Sequence, residues 1–210
     1  MKTRPCLLLV VVAAFVTGCG SDGSSSEGQV PGDATTSTTA AATTAPATIV
    51  GRWRRAHECA QLVNARDEAG LVAVAPSVAG EYFPGMSAAD LSRKDDLCEG
   101  AEPFVHYHFF DADGQFGSLD ETENQVDDAP YEIIDSRTFR IGAGQSGAGP
   151  GVEFHYEING DTLTLSPVIT QAMKKDEALA NPFQFTDAGW AVAVAYPGEE
   201  WKRVSCGNWC

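Results

Sequence analysis

From Gly100 onward the chain alternates. The runs "PFVHYHFF", "QFGSLD", "APYEIID", "TFRIG", "VEFHYEI" and "DTLTLSPV" place apolar and polar side chains at a period of two. They are separated by "DADG", "ETENQVDD", "DSR", the glycine-rich "AGQSGAGPG" and "NGD". Asn159-Gly160 is the strongest hairpin signal, because a two-residue turn of the favoured hand needs positive φ at both central positions. Strands joined by short turns predict an antiparallel meander, and such a sheet removes its exposed edges by closing into a barrel. Gly51-Arg52-Trp53 predicts a first strand, and Trp201 to Ser205 a last one. Between the first strand and Gly100 the period is helical. Cys59, Leu62, Val63 and Ala69 fall near one face, predicting a helix from about Glu58 to Ala69 with Gly70 as its stop. A weaker helical stretch covers Leu71 to Ala79, "ITQAMKKDEALANPF" supplies a turn or two of helix, and Pro84, Gly85 and "SRKDDLCEG" read as loop. The predicted fold is mainly β, a barrel of about eight strands with a helical insertion after the first strand.

The N-terminal quarter follows neither period. Lys2 and Arg4 precede an apolar run from Cys6 to Val16, too short to span a bilayer and laid out like a secretory signal. Gly20 to Val50 has no aromatic or basic side chain, so it cannot bury enough apolar surface to offset its ordering entropy. It is predicted to be a disordered spacer, and about thirty such residues reach about 30 Å. The chain thus divides into a signal peptide over 1–18, a spacer over 19–49 and a folded domain over 50–210.

From Val50 onward, 12 basic residues stand against 26 acidic ones, a formal charge of −14. Nucleic acid and anionic lipid are repelled by such a surface, and neither is an expected partner. With Cys6 in the signal and Cys19 at its end, Cys59, Cys98, Cys206 and Cys210 remain. An even number in an exported domain implies two disulfides, with three connectivities open. Cys59 starts the predicted helix and Cys98 precedes the next strand, so a bridge between them pins the helical insertion against the sheet. Cys206 and Cys210 are then left as a tight terminal loop. No cysteine spacing suits a zinc site.

Three resemblances add to this reading. Val16-Thr17-Gly18-Cys19 resembles the lipobox of bacterial lipoproteins. It implies cleavage behind Gly18 and a diacylglyceryl thioether on Cys19, which would anchor the domain by lipid to the outer face of the cell membrane. Gly51-x-Trp53, a meander of six strands and a closing strand with Arg203 resemble the lipocalin-like, or calycin, pattern. There the tryptophan packs at the closed end of the barrel and the arginine lies across it. "CEGAEPFVHYHFFDADGQFGSLDE" with "AYPGEEWKRVSC" is also similar to exported actinobacterial proteins, a likeness that brings no activity with it.

The candidate chemistry lies on the strands. In "PFVHYHFF", Val105, Tyr107 and Phe109 share one face and His106 and His108 the other; in "VEFHYEI", Glu153 and His155 lie opposite Phe154 and Tyr156. The expected arrangement puts the histidines and Glu153 on the solvent face. Val105, Tyr107, Phe109, Phe154, Tyr156, Leu163 and Leu165 then line a cavity closed by Trp53 and Arg203, with tyrosine hydroxyls for a ligand's polar end. If His106, His108, Glu153 and His155 instead adjoined, they would suit zinc or copper. Asp111 to Gly114 starts like a calcium loop, but Phe116 stands where glycine is required and Thr122 where the bidentate glutamate belongs, so it reads as a turn. No Gly-x-Ser-x-Gly elbow occurs, and Asp127-Asp128 and Glu199-Glu200 would point to opposite faces of a strand. Neither catalysis nor a cofactor is expected. The leading functional expectation is a binding module for a small apolar or amphipathic ligand. The alternatives are a structural lipoprotein with a filled barrel and an envelope protein partner, and a metal-binding lipoprotein.

Overall fold

The computed structural model describes residues 48–142, 151–180 and 184–210. The signal, Cys19, nearly all of the spacer and most of the glycine-rich loop lie outside the described residues. Eight strands form a closed antiparallel barrel in sequence order: β1 (Gly51–His57), β2 (Phe104–Phe110), β3 (Gln115–Leu119), β4 (Gln125–Asp135), β5 (Thr138–Ile141), β6 (Val152–Asn159), β7 (Thr162–Pro167) and β8 (Glu200–Val204). The last strand pairs with both β7 and β1, so none of the eight is an edge. The fold is the closed barrel that the meander predicts, with the lipocalin-like layout that the resemblance implies. Strand β4 begins at Gln125, inside a stretch that reads as loop by composition.

One end of the barrel is closed by residues of the resemblance. Trp53 is fully buried, its indole N–H donates to the Ile49 carbonyl at 2.9 Å, and the Arg203 guanidinium lies 4.1 Å from its ring centroid. That stacking adds about 0.5–2 kcal/mol to the burial itself. Arg203 also donates to the Val50 carbonyl at 2.9 Å. Gly51 is required here, because a Cβ would sit 2.4 Å from the Arg203 guanidinium and φ is +145°. Phe110, Phe116, Phe139, Phe154, Leu163, Leu165 and Trp201 fill the interior, each fully buried and each contributing about 1.5–3 kcal/mol.

Helices gather at the other end, where β1 finishes. The helices α1 (Cys59–Glu68), α2 (Ala75–Tyr82) and α3 (Ala88–Leu91) form the insertion, and α4 (Gln171–Leu179) and α5 (Asp187–Ala195) lie between β7 and β8. Cys59 is bonded to Cys98 and Cys206 to Cys210, the expected pairing. Leu62, Leu71, Val78, Tyr82 and Leu91 make a second core with Ala188, Val192 and Tyr196. A buried ion pair ties the layer together: Arg66 of α1 meets Glu177 of α4 and donates to the Ser77 hydroxyl of α2 at 3.0 Å. Thr186 caps α5, accepting from the Gly189 N–H at 3.1 Å, and also bonds Glu177.

Helix α5 is buried along most of its circumference, and its Ala191, Val194 and Ala195 pack into the barrel core. Carbonyls in the last turn of a helix lack intrahelical partners. The barrel interior supplies them: a His108 ring N–H donates to the Val194 carbonyl at 2.9 Å and the Trp201 indole N–H to the Ala195 carbonyl at 3.3 Å. The helix therefore plugs the mouth and leaves a gap along one side.

Candidate functional site

The register of β1 and β2 decides which side chains face that gap. Trp53 pairs with His108, Arg55 with His106 and His57 with Phe104, and residues directly opposite in an antiparallel pair share a face. Since Trp53 is inside, His57, His106 and His108 are inside as well. This corrects the expectation that Val105, Tyr107 and Phe109 line the interior. Alternation sorts β2 into two faces but both carry aromatic rings, since Phe104 and Phe110 accompany the imidazoles. The outward aromatics are sheltered in their own way. Tyr107 lies under Arg52, 4.1 Å from its guanidinium, and Phe109 stacks at 5.3 Å on Trp209 of the terminal disulfide loop. Gly117 leaves space for the Phe109 ring, which a Cβ there would approach to 2.3 Å.

On β6 the faces fall as expected, with Phe154 and Tyr156 toward the interior and Glu153 and His155 outside. The barrel wall thus separates His106 and His108 from Glu153 and His155, so those four do not meet. Phe154, Leu163 and Leu165 belong to the filled core, and Tyr156 packs half-buried against Phe139, 5.7 Å between ring centroids. Tyr107 and Tyr156 do not converge on a common cavity.

The three interior histidines differ in what their nitrogens do. His108 is saturated: its Nε2 bonds the Val194 carbonyl and its Nδ1 lies 2.9 Å from the Ser118 hydroxyl. A carbonyl only accepts, so Nε2 carries the proton and Nδ1 accepts from Ser118. His57 is 1% exposed, and neither of its ring nitrogens has a hydrogen-bond partner among the described residues. Its ring is held by stacking, 3.9 Å from Tyr196, 4.9 Å from His106 and edge-on to Trp201 at 5.3 Å. Tyr196 takes this position in a left-handed conformation, φ +46°, where the chain leaves α5. A non-glycine residue there is strained by about 1–3 kcal/mol, and its hydroxyl meets that of Tyr82 at the end of α2. That contact fixes the neighbouring Glu81 over the mouth.

His57, Glu81 and His106 each present one ligand-type atom within 4.8 Å of the others. They line a cavity of about 250 Å³ between the barrel rim and α5, walled also by His108, Ser118, Asp127, Trp190 and Val194. Trp190 holds the Asp127 carboxylate with its indole N–H at 2.8 Å. Burial keeps all three imidazoles neutral: His106 is lowered to about 4, and His57 and His108 fall well below the ordinary value. Burial, and next the Asp127 charge, raise Glu81 to about 7. Among the described residues, no lysine or arginine lines this cavity. Arg55, on the same face as His57, sits over the Tyr196 ring at 4.5 Å and is engaged by Gln61 at 2.6 Å and Glu199 at 3.6 Å.

His57 and Glu81 were not among the residues that sequence reasoning selected. His57 was within reach, because continuing the inward alternation from Trp53 leads through Arg55 to position 57. Glu81 carries no such signal, since its position depends on how α2 docks on α5. No family model matches the chain, and no match is found among curated proteins.

Proposed function

We propose that the chain is an exported binding lipoprotein whose pocket at the barrel mouth takes one small polar ligand. The observation that carries this reading is the buried, unpartnered His57 in a cavity that the otherwise filled barrel leaves beside α5. An unsatisfied buried polar group costs about 1–3 kcal/mol, and a bound ligand would remove that cost. The imidazole and carboxylate lining favours a polar occupant over the apolar one that an aromatic cavity would take. The lipobox-like Val16-Thr17-Gly18-Cys19 supports anchoring by lipid on the outer membrane face, with the spacer holding the domain clear of headgroups. The experiment is native mass spectrometry of the full chain released from its own membrane, beside an Ala193→Phe variant that fills the cavity. A non-covalent adduct on the wild type alone supports the proposal, and bare lipidated polypeptide from both rejects it. For the anchor, Cys19→Ala is expected to leave the membrane fraction, and equal retention of this variant and wild type would refute it.

A further inference from the structure

We infer that the pocket is a binding site for a divalent transition-metal cation of the zinc type, held by His57, His106 and Glu81. The inference rests on the pocket reading above and names the ligand. Two imidazoles and one carboxylate are a ligand set used for zinc, with a fourth position left for water or a further group. Ligand atoms around tetrahedral zinc lie about 3.3 Å apart at bonds of about 2.0–2.1 Å. The present spread of up to 4.8 Å therefore closes by a modest inward movement of three side chains. Nitrogen donors disfavour calcium and magnesium, which take oxygen.

Two observations beyond the spacing of the triad point the same way. The first is His57 itself, whose buried ring nitrogens have no partner among the described residues, whereas the neighbouring His108 has both satisfied. A structural histidine in this barrel is bonded like His108; His57 is left with a lone pair to give. The second is the approach. A neighbouring hollow of about 510 Å³ shares Glu81, His106 and Val126 with the cavity, and Glu102, Asp120 and Glu121 stand along it with no lysine or arginine lining it among the described residues. Inside, Asp127 adds a second carboxylate beside Glu81. Carboxylates crowded around a site whose neighbouring guanidinium, Arg55, is itself paired with Glu199 concentrate cations and repel anions.

The test is calorimetric titration of Zn²⁺ into the chelator-stripped full chain, with Ca²⁺ as a control. The wild type is expected to take up one equivalent of Zn²⁺ and no Ca²⁺. His57→Phe and Glu81→Gln are each expected to weaken uptake by more than about a hundredfold, while His155→Ala, outside the barrel, changes it by less than about twofold. Uptake that survives both pocket variants, or its absence in the wild type, overturns the assignment. An organic adduct in the native mass spectrum without Zn²⁺ uptake overturns the metal and leaves the pocket reading standing. Bare polypeptide without uptake overturns both.

Discussion

Replacing His57 by phenylalanine is expected to stabilise the metal-free protein. The imidazole is 1% exposed, neither nitrogen is bonded among the described residues, and its neighbours are the rings of Phe104, His106, Tyr196 and Trp201. A phenyl ring keeps the stacking and removes a desolvated donor and acceptor, each costing about 1–3 kcal/mol. Against this, the extra ring atom crowds a packed site at a cost of about 1 kcal/mol. The net gain is at least about 1 kcal/mol, or at least about 2–4 °C in Tm for a domain of this size. His108→Phe supplies the contrast within the same barrel. It strands the Ser118 hydroxyl and the Val194 carbonyl and should lose about 1–3 kcal/mol. Urea titration of both variants in chelator, followed by tryptophan fluorescence, measures the two signs. If His57→Phe lost stability as His108→Phe does, His57 would be a structural residue and the case for a ligand would fall with it.

Three further outcomes are expected. Glu177→Ala should cost about 3–5 kcal/mol by leaving Arg66 charged and buried, and adding Arg66→Met should recover most of that in the same urea assay; equal losses for single and double variants would refute the pairing. Loop-closure entropy gives about 4 kcal/mol for the Cys59–Cys98 bridge, whose separation is 39, and about 2 kcal/mol for Cys206–Cys210, whose separation is 4, so paired serine variants should rank in that order. Metal-free stability should fall as pH drops below about 6.5, because unfolding lets three neutral imidazoles take up protons that the fold denies them, a loss that for His106 continues down to about 4. Glu81, raised to about 7, opposes this with one proton and costs stability as pH rises through that value. Tm against pH in chelator should therefore peak near neutrality, and a Tm still rising from pH 6 to 4.5 would contradict it.

The barrel was legible because each strand carries its own two-residue period and its own turn residues, and closure follows from avoiding edges. Gly51, Trp53 and Arg203 were legible because their roles depend on the first and last strands meeting, which closure requires. The site was not legible, for reasons of register. "PFVHYHFF" is aromatic on both faces, and only its pairing with β1, Trp53 opposite His108, states which face is inside. Polarity misleads at that point, because a neutral imidazole can be buried once its nitrogens are bonded, as in His108. The contribution of α5 was hidden too: in "DAGWAVAVA" nearly every position is apolar or small, so no single face marks it as the helix that plugs the mouth. Glu81 depends on helix docking, through the contact of Tyr82 with Tyr196.

The central claim, that His57, Glu81 and His106 form one site at the mouth of a filled lipocalin-like barrel, is tested most directly by anomalous X-ray diffraction at the zinc edge from crystals grown with Zn²⁺. The account predicts one strong peak bonded to all three side chains at about 2.0–2.2 Å, with His108 still bonded to Ser118 and Val194. A crystal in which the bound zinc sits only on outward residues such as His155, with His57 unchanged, would contradict it.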